Sequence, residues 1–325
     1  MIYKQVEKIK EPISVIGLGC WNFGGDWDSS EEQNSINIVH GALDAGINLF
    51  DVAPVYGWGV SETILGKALK TRREKAIIAS KGGLLWDEDR NTSNNLTKES
   101  LLNEIDKSLE RLGTDYIDIY QLHWPDPNTP LEETAEALNI MRQAGKIRYV
   151  GMSNFSQQGV EAMMGMTSVE CQQSLYNMLE RNPATYHGIP LDYRTEDEVL
   201  PCVEKWGQAF LPYSPLFQGL LSGKFTSGIN FSKTDIRNNN PKLVGEAFSR
   251  YWKATEEIAA VAKEIEKPMN QVALNWLRQK PAVTSIIGGA SNLKQLANNV
   301  ACCTWDIDAA VMARLDEIIA PFRED

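Results

Sequence analysis

The stretch INLFDVAPVYGWGVSETIL, Ile47–Leu65, reads as strand, loop and helix in immediate succession. Ile47–Phe50 is an apolar run of buried-strand length, and it ends on a carboxylate, Asp51. A phenol, Tyr56, follows in a loop whose Pro54, Gly57 and Gly59 break both helix and strand. Ser61 and Glu62 then open an amphipathic helix with Ile64, Leu65, Ala68 and Leu69 on its apolar face. An acid at a strand's end, with a phenol in the next loop, is the placement an α/β barrel gives its chemistry. Taken alone, Asp51 reads equally well as a turn or capping residue and Tyr56 as a half-buried aromatic. What decides between these readings is whether the same pattern recurs along the chain.

It does recur. Strands are expected at Ile13–Leu18, Ile47–Phe50, Ala76–Ser80, Tyr116–Leu122, Tyr149–Met152, Val169–Ser174, Ala209–Tyr213 and Thr284–Gly288. The first intervening helix is expected to be capped by Ser29 or Ser30, with Glu31 and Glu32 in its first turn, and to stop at Gly46. Further helices are expected at Ser61–Lys70, from the Thr97 cap to Gly113, at Leu131–Ala144, Ser156–Met164, Glu196–Trp206, Tyr251–Ile265, Met269–Gln279 and Leu293–Val300. A C-terminal helix, Ala309–Ile319, closes the chain, and a Gly- and Asn-rich loop, Leu216–Arg250, interrupts the rhythm. No two of these strands are joined by a hairpin-length turn, so the sheet is expected to be parallel. Eight such units in 325 residues point to one α/β domain over residues 1–325, a closed (β/α)8 TIM barrel. A doubly wound sheet shows the same alternation, but GLGCWNFGG does not fit the GxGxxG phosphate fingerprint.

Composition narrows the class. A net charge of −11 argues against nucleic acid or an anionic membrane as partner. The opening MIYKQVEKIK lacks the apolar core of a signal peptide, and no apolar run approaches membrane-spanning length. Cys20, Cys171, Cys202, Cys302 and Cys303 show neither metal-ligand nor CxxC spacing, so free thiols in a cytoplasmic protein are expected.

The residues at the strand ends are Trp21, Asp51, Lys81, His123, Ser153 with Asn154, Gln173, Tyr213 with Ser214, and Gly289. Singly each has a plain explanation: Asp51 with Lys81 as a structural ion pair, His123 as a satisfied core histidine. Jointly they bring a carboxylate, an ammonium, an imidazole and a phenol to one barrel mouth. A phenol is protonated at neutral pH and can donate. An adjacent ammonium is expected to lower its pKa, with Asp51 aiming the ammonium and His123 donating to a substrate oxygen. This is machinery for protonating an oxygen while a hydride reaches the neighbouring carbon, and the hydride must come from a cofactor.

FDVAPVYGWGVSE, SKGG, DIYQLHWPD, GKIRYVGMSNF, QQSLYNMLERNP, LPYSPLFQGLLSGKF and IIGGASNLKQLANN resemble, in order and over nearly the whole chain, the signatures of the aldo-keto reductases. The resemblance implies a barrel that binds NADP(H) or NAD(H) in extended form, with Asp51, Tyr56, Lys81 and His123 as catalytic tetrad and Tyr56 as general acid. By matching position, Ser153, Asn154 and Gln173 would hold the carboxamide and Tyr213 would stack on the nicotinamide. Ser214, Leu216, Gln218, Gly219 and Lys224 would line the pyrophosphate. Gly289, Ser291, Gln295, Asn298 and Asn299 would hold the adenosine end. Trp21, Trp86 and Trp124 are expected at the substrate wall, Trp21 also beside the cofactor, with plain packing as the alternative. Ser291 and Asn292 stand where many NADP-preferring members carry Arg or Lys, and Lys294 is the nearby substitute, which leaves NADP(H) favoured over NAD(H). The segment ATYHGIPLDYR, Ala184–Arg194, looks inserted. His187 and Tyr193 can reach the mouth from it, although surface decoration is the favoured reading.

The leading expectation is an NAD(P)H-dependent oxidoreductase of small carbonyl or sugar substrates. One rival is a cofactor-binding regulatory subunit resembling the potassium-channel β-subunits, which tend to carry an amide where His123 stands. The other is a Schiff-base aldolase using Lys81, for which an ion-paired, charged amine is a poor nucleophile.

Overall fold

The computed structural model describes residues 1–25, 31–226, 231 and 235–323. Eight strands form one parallel sheet: β1 Ile16–Gly19, β2 Leu49–Asp51, β3 Ile77–Gly82, β4 Ile117–Leu122, β5 Ile147–Ser153, β6 Cys171–Leu175, β7 Ala209–Tyr213 and β8 Ile286–Gly289. Sequential strands pair in register from β1 to β7, and β8 pairs with β1. The seam between β7 and β8 closes through Thr284 N and Ser285 N, which donate to Phe210 O at 3.0 and 3.3 Å. Those two residues therefore serve closure, which is why β8 begins at Ile286 and not at Thr284 as the apolar run suggested. The (β/α)8 architecture expected from the sequence is the one observed.

Strand periodicity explains how the barrel positions a site. Side chains alternate between faces, and the inward positions of the lower layers are apolar: Leu49, Ile77, Ala79, Ile119, Cys171, Ala209, Leu211 and Ile287 form one buried cluster. Two residues further along the same parity stand Asp51, Lys81, Gln121, Gln173 and Tyr213. The interior thus changes from oil to polar groups at the C-terminal mouth. The opposite end is plugged by an antiparallel hairpin, Tyr3–Val6 with Ile9–Ser14, whose Val6, Ile9 and Ile13 complete the apolar cluster. Ile13 therefore belongs to this plug and not to β1, whose expected span began there.

The helices follow their sequence signals. Thr97 accepts from Ser100 N to cap α3, Lys98–Leu112, which ends at Gly113 with φ +61°. Ser156 caps α5, Gln157–Met164. Helix α1, Glu32–Asp44, has Glu31 at its cap position; Ser29 and Ser30 lie outside the described residues. The remaining barrel helices are α2, Val60–Leu69, α4, Leu131–Gln143, α6, Leu200–Trp206, α7, Phe248–Glu264, α8, Met269–Arg278, α9, Leu293–Val300, and α10, Ala309–Ile319. Residues Thr195–Val199 form a π-type turn before α6, where the helix was expected to open at Glu196. Two small hairpins escaped the sequence reading, Leu84–Trp86 with Thr92–Asn94 and Thr185–Tyr186 with Ile189–Pro190. Both rise from the mouth.

Candidate active site

Lys81 and Asp51 sit at the ends of neighbouring strands, and their pairing is a consequence of parity. The Lys81 ammonium lies 2.8 and 2.9 Å from the two Asp51 oxygens, 3.1 Å from Val52 O and 3.2 Å from the Tyr56 hydroxyl. The side chains of Lys81 and Asp51 are 0% and 5% exposed. Tyr56 is carried by the turn after β2, with its ring stacked on Trp21 at 5.9 Å and edge-on to His123 at 6.0 Å. The four chemistry-bearing groups expected from the sequence therefore form one contiguous set.

Its electrostatics differ from the expectation in one respect. Burial, reinforced by the Asp51 carboxylate, pushes the Tyr56 phenol well above its ordinary pKa, where the ammonium alone was expected to lower it. Burial is the larger cause, and the Asp51 carboxylate that pairs with Lys81 adds an opposing charge of its own. Tyr56 is thus firmly protonated. Burial, and then the Lys81 charge, hold the His123 imidazole well below the ordinary histidine value. It is neutral at physiological pH, so it has one N–H to give.

One cavity of about 730 Å³ runs across the barrel mouth. It is lined by Tyr56, Asp51, His123, Trp21 and Trp124 at one end, then by Ser153, Asn154, Gln173, Tyr213, Ser214, Leu216, Gln218, Gly219 and Lys224. Gly289, Ser291, Gln295, Asn298 and Asn299 line the other end. Lys81 lies behind this surface, covered by Asp51 and Tyr56. Trp86, expected at the substrate wall, does not line the cavity; its ring packs at 5.7 Å on Trp58, which does. Trp58 sits in the strained loop of the opening stretch with φ +57°, close enough to Tyr56 in sequence that the loop's crowding with aromatics was its one signal. Arg237 and Asn270 also line the cavity and left no sequence signal, because they arrive from segments distant in the chain.

Two expected carboxamide holders are already engaged. Gln173 Nε2 donates to Asp51 Oδ1 at 2.8 Å and to Gln121 Oε1 at 3.3 Å. Asn154 Oδ1 accepts from Tyr193 at 3.0 Å and Tyr213 at 2.9 Å, and its Nδ2 donates to His123 O and Ser153 Oγ. Both ends of this amide are filled, so a ligand amide reaches it only by displacing a partner. Tyr193 comes from the inserted segment, and so does Tyr186, which lines the cavity. The insert is a wall of the site, which corrects its reading as surface decoration; the signal was an excess of aromatics in a segment otherwise rich in turn residues.

The cleft's far end is neutral. Ser291 N donates to Gln295 Oε1 at 2.8 Å, and Asn299 Nδ2 donates to Gly289 O at 3.1 Å. Lys294 is exposed and outside the lining. Among the described residues no helix is long and apolar enough to cross a membrane.

Comparison with known proteins agrees with this geometry. The model of the Aldo/keto reductase family matches residues 15–320. The chain is 34% identical to the aldo-keto reductase YhdN of Bacillus subtilis (strain 168), over 98% of this chain and 94% of that one. It is 32% identical to the NADH-specific methylglyoxal reductase of Escherichia coli (strain K12), over 94% and 96%. The structure of the glycerol dehydrogenase AKR11B4 from Gluconobacter oxydans superposes with a TM-score of 0.87 at 32% identity, covering 98% of this chain and 95% of that one. The chain belongs to the aldo/keto reductase family and is a nicotinamide-dependent oxidoreductase interconverting carbonyl compounds and alcohols.

Proposed function

We propose that the protein reduces a small aldehyde or ketone, or the open-chain form of a sugar, with Tyr56 as the acid that protonates the carbonyl oxygen. The contact between the Lys81 ammonium and the Tyr56 hydroxyl, 3.2 Å, carries this reading. As the proton leaves, the negative charge forms on an oxygen already touching a buried cation, so the ammonium acts on the transition state more than on the resting phenol. Asp51 keeps the ammonium in place. His123 donates its one N–H to the carbonyl oxygen and fixes its angle. Trp21, stacked on Tyr56, excludes water from the proton path.

The donor set fits an extended dinucleotide. Aromatic rings stand beside Asp51 and His123 at the Tyr56 end, and amide and hydroxyl side chains line the rest, a mixture such a ligand can use. A bound nicotinamide supplies the hydride. Tyr213 would support its ring, with Ser153, Asn154 and Gln173 at the carboxamide. Lys224 and the turn through Ser214, Leu216, Gln218 and Gly219 would take the pyrophosphate, and Gly289, Ser291, Gln295, Asn298 and Asn299 the adenosine. NADP(H) remains our preferred cofactor, with Lys294 turning in to meet the 2′-phosphate. NAD(H) is the rival reading, favoured by the uncharged lining at Ser291, Gln295 and Asn298 and by the NADH-specific relative.

The test is to follow NADPH and NADH oxidation with a reactive aldehyde, in wild type and in Tyr56→Phe, beside titrations of both cofactors. Turnover lost in the variant with cofactor binding kept is the expected result. Equal turnover in the variant removes Tyr56 from its role, and a Lys294→Ala variant that binds NADPH as well as wild type removes Lys294 from its own.

A further inference from the structure

We propose that Tyr186, carried on the inserted hairpin Thr185–Pro190, sets the size of the substrate and restricts the site to short-chain carbonyl compounds. This rests on the reading of Tyr56 as the acid, since it locates the substrate. The hairpin turns through His187 and Gly188, with φ of +50° and +80°, the conformation of the tightest hairpin loops. Few side chains occupy that region, and histidine is among those enriched there; here its ring is also held by a tertiary contact. His187 Nε2 meets Gln218 Nε2. Gln218 Oε1 accepts from Asn240 Nδ2 at 3.1 Å, and Asn240 Oδ1 accepts from Lys242 N at 3.0 Å. A backbone N–H can only donate, so this end fixes the direction of the whole chain of bonds: His187 Nε2 accepts, and its proton is on Nδ1. The Lys242 ammonium adds a second pin, on Glu180 at 2.8 Å and on Thr185 O at 3.5 Å.

So held, the hairpin aims Tyr186 inward while Ile189 stays 50% exposed outside. The Tyr186 ring stacks with Trp124 at 6.5 Å and meets the edge of Tyr213 at 5.3 Å. It therefore bridges the substrate wall and the ring expected under the nicotinamide. A carbonyl compound with its oxygen at Tyr56 must place its substituent among Trp21, Trp58, Trp124 and Tyr186, in a cavity of about 730 Å³ that also has to take the dinucleotide. On this proposal an aryl substituent competes for that space with the Tyr186 ring, which also meets the His187 ring at 4.4 Å.

The test compares propanal with 2-naphthaldehyde, by kcat/KM with the reduced cofactor and by quenching of tryptophan emission in the NADP⁺-loaded protein. Tyr186→Ala should raise the naphthaldehyde-to-propanal ratio about tenfold in both measurements. Tyr186→Phe, which keeps the ring, should return the ratio to that of wild type, and Tyr186→Leu should fall between, which a merely structural defect would not produce. An unchanged ratio in Tyr186→Ala, or a shift in Tyr186→Phe as large as in Tyr186→Ala, overturns the proposal. A shifted binding ratio in a protein without turnover would support the hairpin's role and refute that of Tyr56, so the two readings fail separately.

Discussion

Replacing Lys81 by methionine keeps most of the side-chain volume and removes the charge. Asp51, only 5% exposed, then keeps the Gln173 amide at 2.8 Å as its side-chain donor. Removing one partner of a buried ion pair costs ~3–5 kcal/mol, because the other charge stays behind without compensation. An unfolding entropy of ~2.1 cal/mol/K per residue over 325 residues amounts to ~0.7 kcal/mol/K. The melting temperature should therefore fall by roughly 4–7 °C. The double variant Lys81→Met/Asp51→Asn removes both charges and should recover most of the loss, since two uncharged groups need no mutual compensation. Melts followed by circular dichroism, with aldehyde-dependent NADPH oxidation alongside, check this. Turnover should be lost in both variants. A fall in Tm below about 1 °C, or an undiminished gap in the double variant, would refute the argument that Asp51 is a buried charge dependent on Lys81.

Three further outcomes are expected. Tyr56→Phe should lower the reduction rate ~10²–10⁴-fold while cofactor titration stays near wild type, because the hydroxyl is an acid and not part of the expected cofactor cradle. Since His123 is held neutral and Tyr56 protonated, kcat for reduction should be flat from about pH 6 to 8; a titration centred near the ordinary histidine value would contradict the buried neutral imidazole. For stability the same histidine acts in the acid direction: its unfolded form takes up a proton below pH ~6.5 and the native form does not, so this contribution is lost as pH falls through that range. Gly57→Ala would set a Cβ 2.4 Å from Gly24 O at φ +60°, locking the Tyr56 loop against the loop after β1 in a clash that only backbone movement relieves. It should cost at least ~2 kcal/mol in a chemical melt and depress turnover, and a melt indistinguishable from wild type would show that the two loops part freely.

How much of this is legible in the sequence depends on the range of the signal. Strand parity is local: a residue two places beyond an inward apolar side chain also points inward, so Asp51, Lys81, Gln173 and Tyr213 could be placed at the mouth from spacing alone. The eight strands were legible for the same reason, and so were caps such as Thr97 and Ser156, where a short polar side chain meets an unpaired amide of its own helix. What spacing cannot supply is the sum of opposing fields at one atom. The ammonium beside Tyr56 was readable; the opposing charge of Asp51 and the weight of burial required distances. Nor can spacing reveal which segments meet across the mouth. His187, Gln218 and Asn240 lie far apart in sequence, and Gln218 holds left-handed backbone that few residues of its type adopt. Such local choices look like errors in isolation and become sensible only when the tertiary bonds that compensate them are seen. The insert was misread on that account: its turn chemistry is that of a surface loop, while its aromatic residues are those of a binding wall, and a composition cannot say which way a hairpin faces. What holds it facing the mouth is tertiary: the bonds that run from Lys242 N through Asn240 and Gln218 to His187, and the Lys242 ammonium on Thr185 O, none of which a composition contains.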